Sequence, residues 1–128
     1  MERATVKLVA VTGGRGFQNR ELVFKTLYDE LHRCQDEGLT MLLLHGGCWA
    51  GADAHAATWA HKTGIQSLVA LPNWEVYGRK AGPIRNRYMM LMRPNVLYAF
   101  PGGRGTESCV AEASNLGILT IHVKEEVD

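Results

Sequence analysis

Three short apolar segments of this sequence are each followed by a pair of glycines and then by a helical pattern. The segments are residues 6–11, 40–44 and 96–100, and the pairs are Gly13-Gly14, Gly46-Gly47 and Gly102-Gly103. Two more apolar segments, residues 65–71 and 118–123, also have the length of strands. Strands that alternate with helices along a whole chain are typical of a parallel sheet with helices on both faces. We therefore predict an α/β fold with a doubly wound, parallel, five-stranded sheet.

Four helical patterns connect these strands. The first covers residues 19–35, where an apolar face is formed by Val23, Leu27, Leu31 and Cys34. The second covers residues 52–62, and residues 72–82 then read as a loop. Pro83 suits the first turn of a third helix, whose predicted apolar face consists of Ile84, Tyr88, Leu91 and Met92. The fourth helix is predicted to have Thr106 as its N-cap and to reach Leu116.

Length and composition restrict the class of protein. The 128 residues are enough for one domain, predicted to cover residues 1–128, and the net charge of +1 gives no overall attraction to nucleic acid or to an anionic membrane. No apolar run has the length of a membrane span, and the first residues do not read as a secretion signal. The three cysteines are widely spaced, which favours a reducing cytoplasm. The histidines lack metal-ligand spacing, so we expect no metal and no cofactor.

The glycine pairs lie where a sheet of this kind binds ligands. Ligands of open α/β sheets bind at the carboxyl ends of the strands. A glycine there lets the backbone N–H groups approach a bulky anion, and the N-terminus of the next helix adds a partial positive charge. One pair alone would be explained by a tight turn, whereas three pairs at one edge favour a ligand site. The dinucleotide fingerprint GxGxxG does not follow the first strand, so an ordinary NAD-binding domain is disfavoured.

Arginine and tryptophan side chains are expected at the same edge. Arg15 and Arg104 lie within glycine-rich loops, and Arg85 lies near a helix N-terminus, where a cation is unfavourable unless an anion compensates it. Guanidinium groups can hold a phosphate with two hydrogen bonds, so we expect these residues to contact a ligand. Trp74, and with less support Trp49, would stack on a base or sugar.

Asp53 has two interpretations that the sequence leaves open. It follows Gly51 at the start of the second helix, where it would serve as an N-cap. It would equally be able to accept a hydrogen bond from a ribose hydroxyl. We expect His45 to have a hydrogen-bonded packing role.

Several of these segments together resemble one known family. They are residues 12–17 (TGGRGF), 45–53 (HGGCWAGAD), Trp74 with 77–86 (YGRKAGPIRN), Met89, and 99–106 (AFPGGRGT). The sequence is similar to the SLOG superfamily of Rossmann-like nucleotide-binding domains, and in particular to its YspA-like branch from bacteria and phages. The resemblance implies the strand order 3-2-1-4-5, which the apolar pattern alone does not determine. Strand order would then reverse between strands 1 and 4, and their two glycine loops would face each other across one crevice.

The resemblance also implies a pocket for a nucleotide or an ADP-ribose-like ligand. Together with the residue patterns it predicts these ligand-binding residues: Gly13, Gly14, Arg15, Phe17, Gly46, Gly47, Asp53, Trp74, Arg85, Asn86, Gly102, Gly103, Arg104, Gly105 and Thr106. In related phosphoribohydrolases an arginine segment and a PGGxGTxxE segment split the base from ribose phosphate. Here the position of the catalytic glutamate is occupied by Cys109, which we expect to be a small packing residue.

The sequence is compatible with three alternative functions. The first is a module that binds a nucleotide-derived ligand, as a sensor or by sequestering it. The second is an enzyme that hydrolyses N-glycosidic bonds of nucleotides, for which Arg85, Glu107 and Asp53 are the candidate catalytic residues. The third and weakest is a DNA-associated module, which the near-neutral charge disfavours. The methionine-rich third helix and the resemblance together predict a homodimer.

Overall fold

Five parallel strands form one sheet. The computed structural model describes residues 5–126; residues 1–4 and 127–128 of the predicted domain lie outside this range. The strands are β1 (Val6–Thr12), β2 (Thr40–His45), β3 (Ser67–Val69), β4 (Val96–Ala99) and β5 (Thr120–His122). Their order across the sheet is β3-β2-β1-β4-β5, and all pairs are parallel. The predicted sheet and its strand order are therefore confirmed.

Helices cover both faces of this sheet. They are α1 (Arg20–Asp36), α2 (Ala52–Thr63), α3 (Trp74–Tyr77), α4 (Ala81–Leu91) and α5 (Arg104–Asn115). One face of the sheet packs against α1 and α2 in a core that contains Val9, Val11, Leu43, Val23, Leu27 and Trp59. The other face packs against α4 and α5 in a core that contains Ala10, Leu44, Leu97, Met89, Met90 and Cys109. Alternate residues of β1 thus serve opposite cores, because successive side chains of a strand point to opposite faces.

The central strands β1, β2 and β4 place their carboxyl ends side by side. Ala10 pairs with Leu44 of β2 and with Leu97 of β4, and Thr12 pairs with Ala99. The segments that follow these strands therefore begin at one edge of the sheet. None of the helices within residues 5–126 has the length and apolar character needed to cross a membrane.

The structure corrects the predicted apolar face of α4. Tyr88, Leu91 and Met92 are exposed, whereas Met89 and Met90 are buried against the sheet together with the polar Asn86. Both sets of residues have helical spacing, so the periodicity could not decide which of them faces the sheet. The side chain of Asn86 can be buried because its amide donates to a backbone carbonyl, as described below.

Other predicted elements and boundaries were also wrong. Residues 72–82 are not a plain loop, since they contain α3, a 3₁₀ turn at Gly78–Lys80 and the first residues of α4. The edge strands β3 and β5 have three residues each, about half of what the apolar runs predicted. The N-cap of α5 is Gly103 rather than Thr106, which lies inside the first turn.

A buried acidic side chain joins α1 to the sheet. Glu30 is 1% exposed, and its carboxylate accepts hydrogen bonds from the Tyr98 hydroxyl at 2.6 Å and from the Lys7 ammonium at 3.0 Å. The Arg33 guanidinium donates to the Tyr98 oxygen at 3.0 Å. Burial, assisted by the bond to Glu30, raises the pKa of Tyr98 to about 12. The tyrosine therefore stays protonated and keeps its donor directed at the carboxylate.

We predict that Tyr98→Phe lowers the free energy of unfolding by about 1–3 kcal/mol, because it leaves a buried carboxylate without one of its donors. Urea unfolding at neutral pH measures this loss. Tyr28→Phe is the matched control: Tyr28 is partly exposed on the same helix as Glu30, and its substitution should change stability by no more than about 0.5 kcal/mol. Equal stability of Tyr98→Phe and wild type would contradict the role given to Glu30.

Candidate ligand-binding site

A cavity of about 720 Å³ opens at the carboxyl edge of the sheet, beyond β1, β2 and β4. Its volume is typical of a small-molecule site. Most of the predicted ligand-binding residues line it: Gly13, Gly14, Arg15, Gly46, Gly47, Asp53, Trp74, Arg85, Asn86, Gly103, Arg104, Gly105 and Thr106. The structure therefore brings residues from four separate segments of the chain to one cavity.

Three of the residues singled out from the sequence lie elsewhere. Phe17 is buried and packs against Phe100, with 5.7 Å between the ring centroids. Gly102 and Glu107 line a second pocket of about 440 Å³, between α5 and residues 122–124. Among the described residues, Asp53 is then the one carboxylate that lines the large cavity.

Close contacts between backbones fix the two glycine loops on either side of the strand-order reversal. The Gly14 N–H donates to the Pro101 carbonyl at 2.9 Å, and a Cβ on Gly14 would lie 3.0 Å from the Cα of Gly102. A Cβ on Gly102 would collide with the hydroxyl of Thr106. These glycines are thus required because the backbones of the two loops lie too close together to leave room for a side chain.

The N-terminus of α5 presents backbone donors to the cavity. Gly103 is the N-cap, and the first helical hydrogen bond runs from the Glu107 N–H to the Gly103 carbonyl at 3.0 Å. The N–H groups of the first turn, those of Arg104, Gly105 and Thr106, precede that bond and have no acceptor within the helix. All three residues line the cavity. Free donors and the positive end of the helix dipole favour an anion at this position.

Three N–H groups at the start of the β2–α2 loop, those of residues 46–48, donate to side chains of the protein. The Asp53 carboxylate accepts from Gly46 at 3.2 Å and from Cys48 at 3.3 Å, and the Gly47 N–H donates to His45 Nδ1 at 3.0 Å. The N-cap of α2 is Gly51, so the N-cap interpretation of Asp53 is wrong. Instead, the side chain of Asp53 reaches back from α2 and holds the preceding loop.

Burial shifts the pKa values of both acceptors, Asp53 and His45. It raises the pKa of Asp53, while His45, the two backbone N–H groups and Arg85 act in the opposite direction. Burial also lowers the pKa of His45, which is 3% exposed. Since Nδ1 of His45 accepts a hydrogen bond, the proton of the neutral ring is on Nε2, which has no partner among the described residues.

Arg85 is held by protein acceptors on the wall of the cavity. Its Nη1 donates to the Gly46 carbonyl at 2.6 Å, and its Nε donates to Asn86 Oδ1 at 2.8 Å. Asn86 in turn donates to the Gly105 carbonyl at 3.1 Å. A Cβ on Gly46 would collide with the guanidinium, so this glycine gives room to Arg85. The cation near a helix start, for which the sequence favoured a ligand contact, has carbonyl and amide partners within the protein.

Apolar side chains form another part of the cavity wall. Trp49 and Trp74 are 85% and 50% exposed, and Leu71 is 72% exposed. The sequence did not indicate four of the lining residues: Leu71, Pro72, Pro83 and Ser108. Leu71 and Pro72 follow β3 at the same sheet edge, a signal that could have found them. Ser108 carries no comparable signal.

Cys109, which takes the position of the glutamate expected from the hydrolase motif, belongs to the core. It is fully buried beneath α5, and burial raises the pKa of its thiol to about 11. The thiol therefore stays protonated at neutral pH and is a poor nucleophile. The predicted packing role of this cysteine agrees with its position.

A doubly wound parallel sheet with a cavity at the reversal of strand order defines a Rossmann-like domain. The family model for the YspA, cpYpsA-related SLOG family matches residues 8–77. The chain is also 36% identical over 124 residues to the Gene 61 protein of Mycobacterium phage D29, with 91% of this chain and 96% of that protein covered. The chain belongs to the YspA, cpYpsA-related SLOG family.

Proposed function

We propose that this protein binds a nucleotide or a nucleotide-derived, ADP-ribose-like phosphorylated ligand in the large cavity, as a sensor or by sequestering the ligand. The observation that carries the proposal is that Arg15, Arg85 and Arg104 line the same cavity as the first turn of α5. Membership of a SLOG family supports a nucleotide-related role. Positive groups and free N–H donors fit the phosphate, and the tryptophans fit a ring.

The phosphate is assigned to the first turn of α5. The N–H groups of Arg104, Gly105 and Thr106 are the donors there. Positive charge comes from the side chain of Arg15 in the loop after β1 and from that of Arg104, the first residue of α5. Arg85 has its Nε and Nη1 engaged by Asn86 and Gly46, so its main contribution is to the positive potential of the cavity.

The base or sugar is assigned to the apolar wall. Trp49 and Trp74 are unusually exposed for tryptophan, and both border the cavity. Stacking of a base on an aromatic ring tolerates different bases. We therefore place the phosphate at α5 and the ring at Trp49, Trp74 and Leu71.

We predict that Arg104→Ala weakens binding of the best ligand at least tenfold, because it removes a charge-assisted contact worth about 1.5–3 kcal/mol. A thermal-shift panel of AMP, GMP, UMP and ADP-ribose finds the ligand, and isothermal titration calorimetry measures Kd. Arg87→Ala is the matched control, since Arg87 is exposed on α4 outside the cavity lining. A panel without any stabilising compound, or an unchanged Kd for Arg104→Ala, would contradict the proposal.

Hydrolysis of an N-glycosidic bond is the second candidate function, and the position of Asp53 is the observation that favours it. This carboxylate lines the cavity, whereas Glu107 lines the other pocket. A carboxylate near the sugar would stabilise the positive charge that develops when the base departs.

If the protein is such a hydrolase, wild type releases free base from AMP or GMP, and Asp53→Asn lowers the rate by a factor of about 100 or more. Chromatography of the reaction mixture measures the base. Glu107→Gln is the control and should retain wild-type activity, because its side chain lies outside the cavity. If wild type releases no base, the hydrolase function is refuted and the binding function is unaffected.

We also propose that the protein is a homodimer and works in the cytoplasm. Tyr88, Leu91 and Met92 form an exposed apolar stripe on α4, and a second copy would cover it. The free thiols of Cys34, Cys48 and Cys109 suit a reducing compartment.

Light scattering coupled to size-exclusion chromatography should give twice the monomer mass of 14.2 kDa. Leu91→Glu is expected to yield a monomer, because a charge cannot be buried unpaired in the interface. Val76→Glu, at an exposed apolar position outside the stripe, should remain dimeric. A monomeric wild type would refute the dimer.

A further inference from the structure

We propose that the second pocket, between α5 and residues 122–124, is a binding site for a small zwitterion with an apolar body. An α-amino acid with a branched or aromatic side chain is the simplest such molecule. Its ammonium group would pair with Glu107 on one wall, and its carboxylate with Lys124 on the other. This site is distinct from the large cavity, with which it shares Thr106 as a lining residue.

The second pocket has the size and the apolar lining of a small-molecule site. Its volume of about 440 Å³ is within the range of such sites. The apolar residues of its lining include Phe100, Pro101, Val110, Ala111 and Val123. Removal of apolar surface from water is favourable, so a ligand with an apolar group is stabilised here.

One wall of the second pocket is a flank of α5. Cys109 and Ala113 form the buried side of this helix and pack against the sheet. Glu107, Val110 and Ala111 line the pocket. They are three and four positions apart, which places them on one side of the helix. The carboxylate of Glu107 therefore lies on the same flank as two apolar residues.

The other wall is formed where the chain leaves β5. The Val123 N–H donates to the Ala99 carbonyl at 2.9 Å, which fixes the backbone just beyond His122. Successive side chains of an extended chain point to opposite sides. Val123 packs against the core of α1 and α2, so His122 and Lys124 are directed towards α5, and both line the pocket.

The two walls carry charges of opposite sign. The ion pairs within residues 5–126 join other side chains, so neither Glu107 nor Lys124 has a counter-ion in this part of the chain. A ligand with both an ammonium and a carboxylate group compensates both charges. A simple acid would be repelled by Glu107, and a simple amine by Lys124.

The same charges distinguish the second pocket from the large cavity. Arg15, Arg85 and Arg104 line the large cavity, whereas no arginine of residues 5–126 lines the second pocket. Glu107 also opposes a phosphate there. The chemistry of the second pocket thus fits an apolar amino acid rather than a nucleotide.

Calorimetry with five probes tests the ligand class: phenylalanine, leucine, phenylacetate, phenethylamine and glycine. Wild type should bind phenylalanine and leucine. Phenylacetate and phenethylamine should bind at least fivefold more weakly than phenylalanine, because each lacks one of the two charged groups. Glycine has both charged groups and no apolar side chain, so it should also bind at least fivefold more weakly.

Two substitutions test the pairing of charges. Lys124→Met should lower the affinity for phenylalanine at least fivefold and should not weaken binding of phenethylamine, which has no carboxylate. Glu107→Gln should lower the affinity for phenylalanine at least fivefold and should not weaken binding of phenylacetate, which has no ammonium group. Lys80→Met and Glu75→Gln are the matched controls, since both residues are exposed and lie outside the lining. They should leave every affinity unchanged.

A third substitution tests the location. Ala111 is exposed and lines the second pocket, so Ala111→Trp fills the pocket without entering the core and should abolish phenylalanine binding. Arg104→Ala, at the large cavity, should leave phenylalanine binding unchanged. Circular dichroism verifies the fold of each variant. If Ala111→Trp does not fold, the charge variants decide the location.

Three results would overturn the proposal. They are failure of wild type to bind either phenylalanine or leucine, binding of phenylacetate or phenethylamine as tightly as phenylalanine, and unchanged phenylalanine affinity in the folded pocket variants. None of these results bears on the nucleotide function, which the phosphorylated compounds test separately at the large cavity.

Discussion

The contact between the loops after β1 and β4 is the constraint on which the rest of the site depends. The Gly14 N–H donates to Pro101, and neither Gly14 nor Gly102 leaves room for a side chain. The loops meet where strand order reverses, the one place in a doubly wound sheet where helices diverge to opposite faces. Their contact fixes the start of α5, and with it the position of Arg104 relative to Arg15 on the facing loop. Residues of both loops line the cavity.

Several polar groups of the cavity wall form hydrogen bonds with one another. Asp53 and His45 accept from the β2–α2 loop, while Arg85 donates to the carbonyl of Gly46 and to Asn86. Such mutual bonding holds charged side chains in fixed positions, because a buried polar group without a partner costs free energy. It also shows that a glycine at a strand end can give room to a guanidinium of the same protein as readily as to a phosphate.

Much of the fold and part of the candidate site could be predicted from the sequence. The alternation of apolar strands and helices indicated the parallel sheet, and the glycine pairs indicated the edge at which the cavity lies. Sequence spacing failed where two faces of an element have equal periodicity, as in α4, and where an aromatic residue such as Phe17 can turn either to a ligand or to the core. It also could not show that Glu107 lines a different pocket, since its place in the first turn of α5 does not determine which side of the helix faces the cavity.

The three tryptophans differ widely in environment, and this difference has an optical consequence. Trp59 is fully buried, whereas Trp49 is 85% exposed and Trp74 is 50% exposed, and both of these border the cavity. Indole emission shifts to longer wavelength when water surrounds the ring. The native protein thus carries one indole in an apolar interior and two at the wall of the cavity, so that the entry of a small molecule and the melting of the core would be reported by different parts of one fluorescence spectrum.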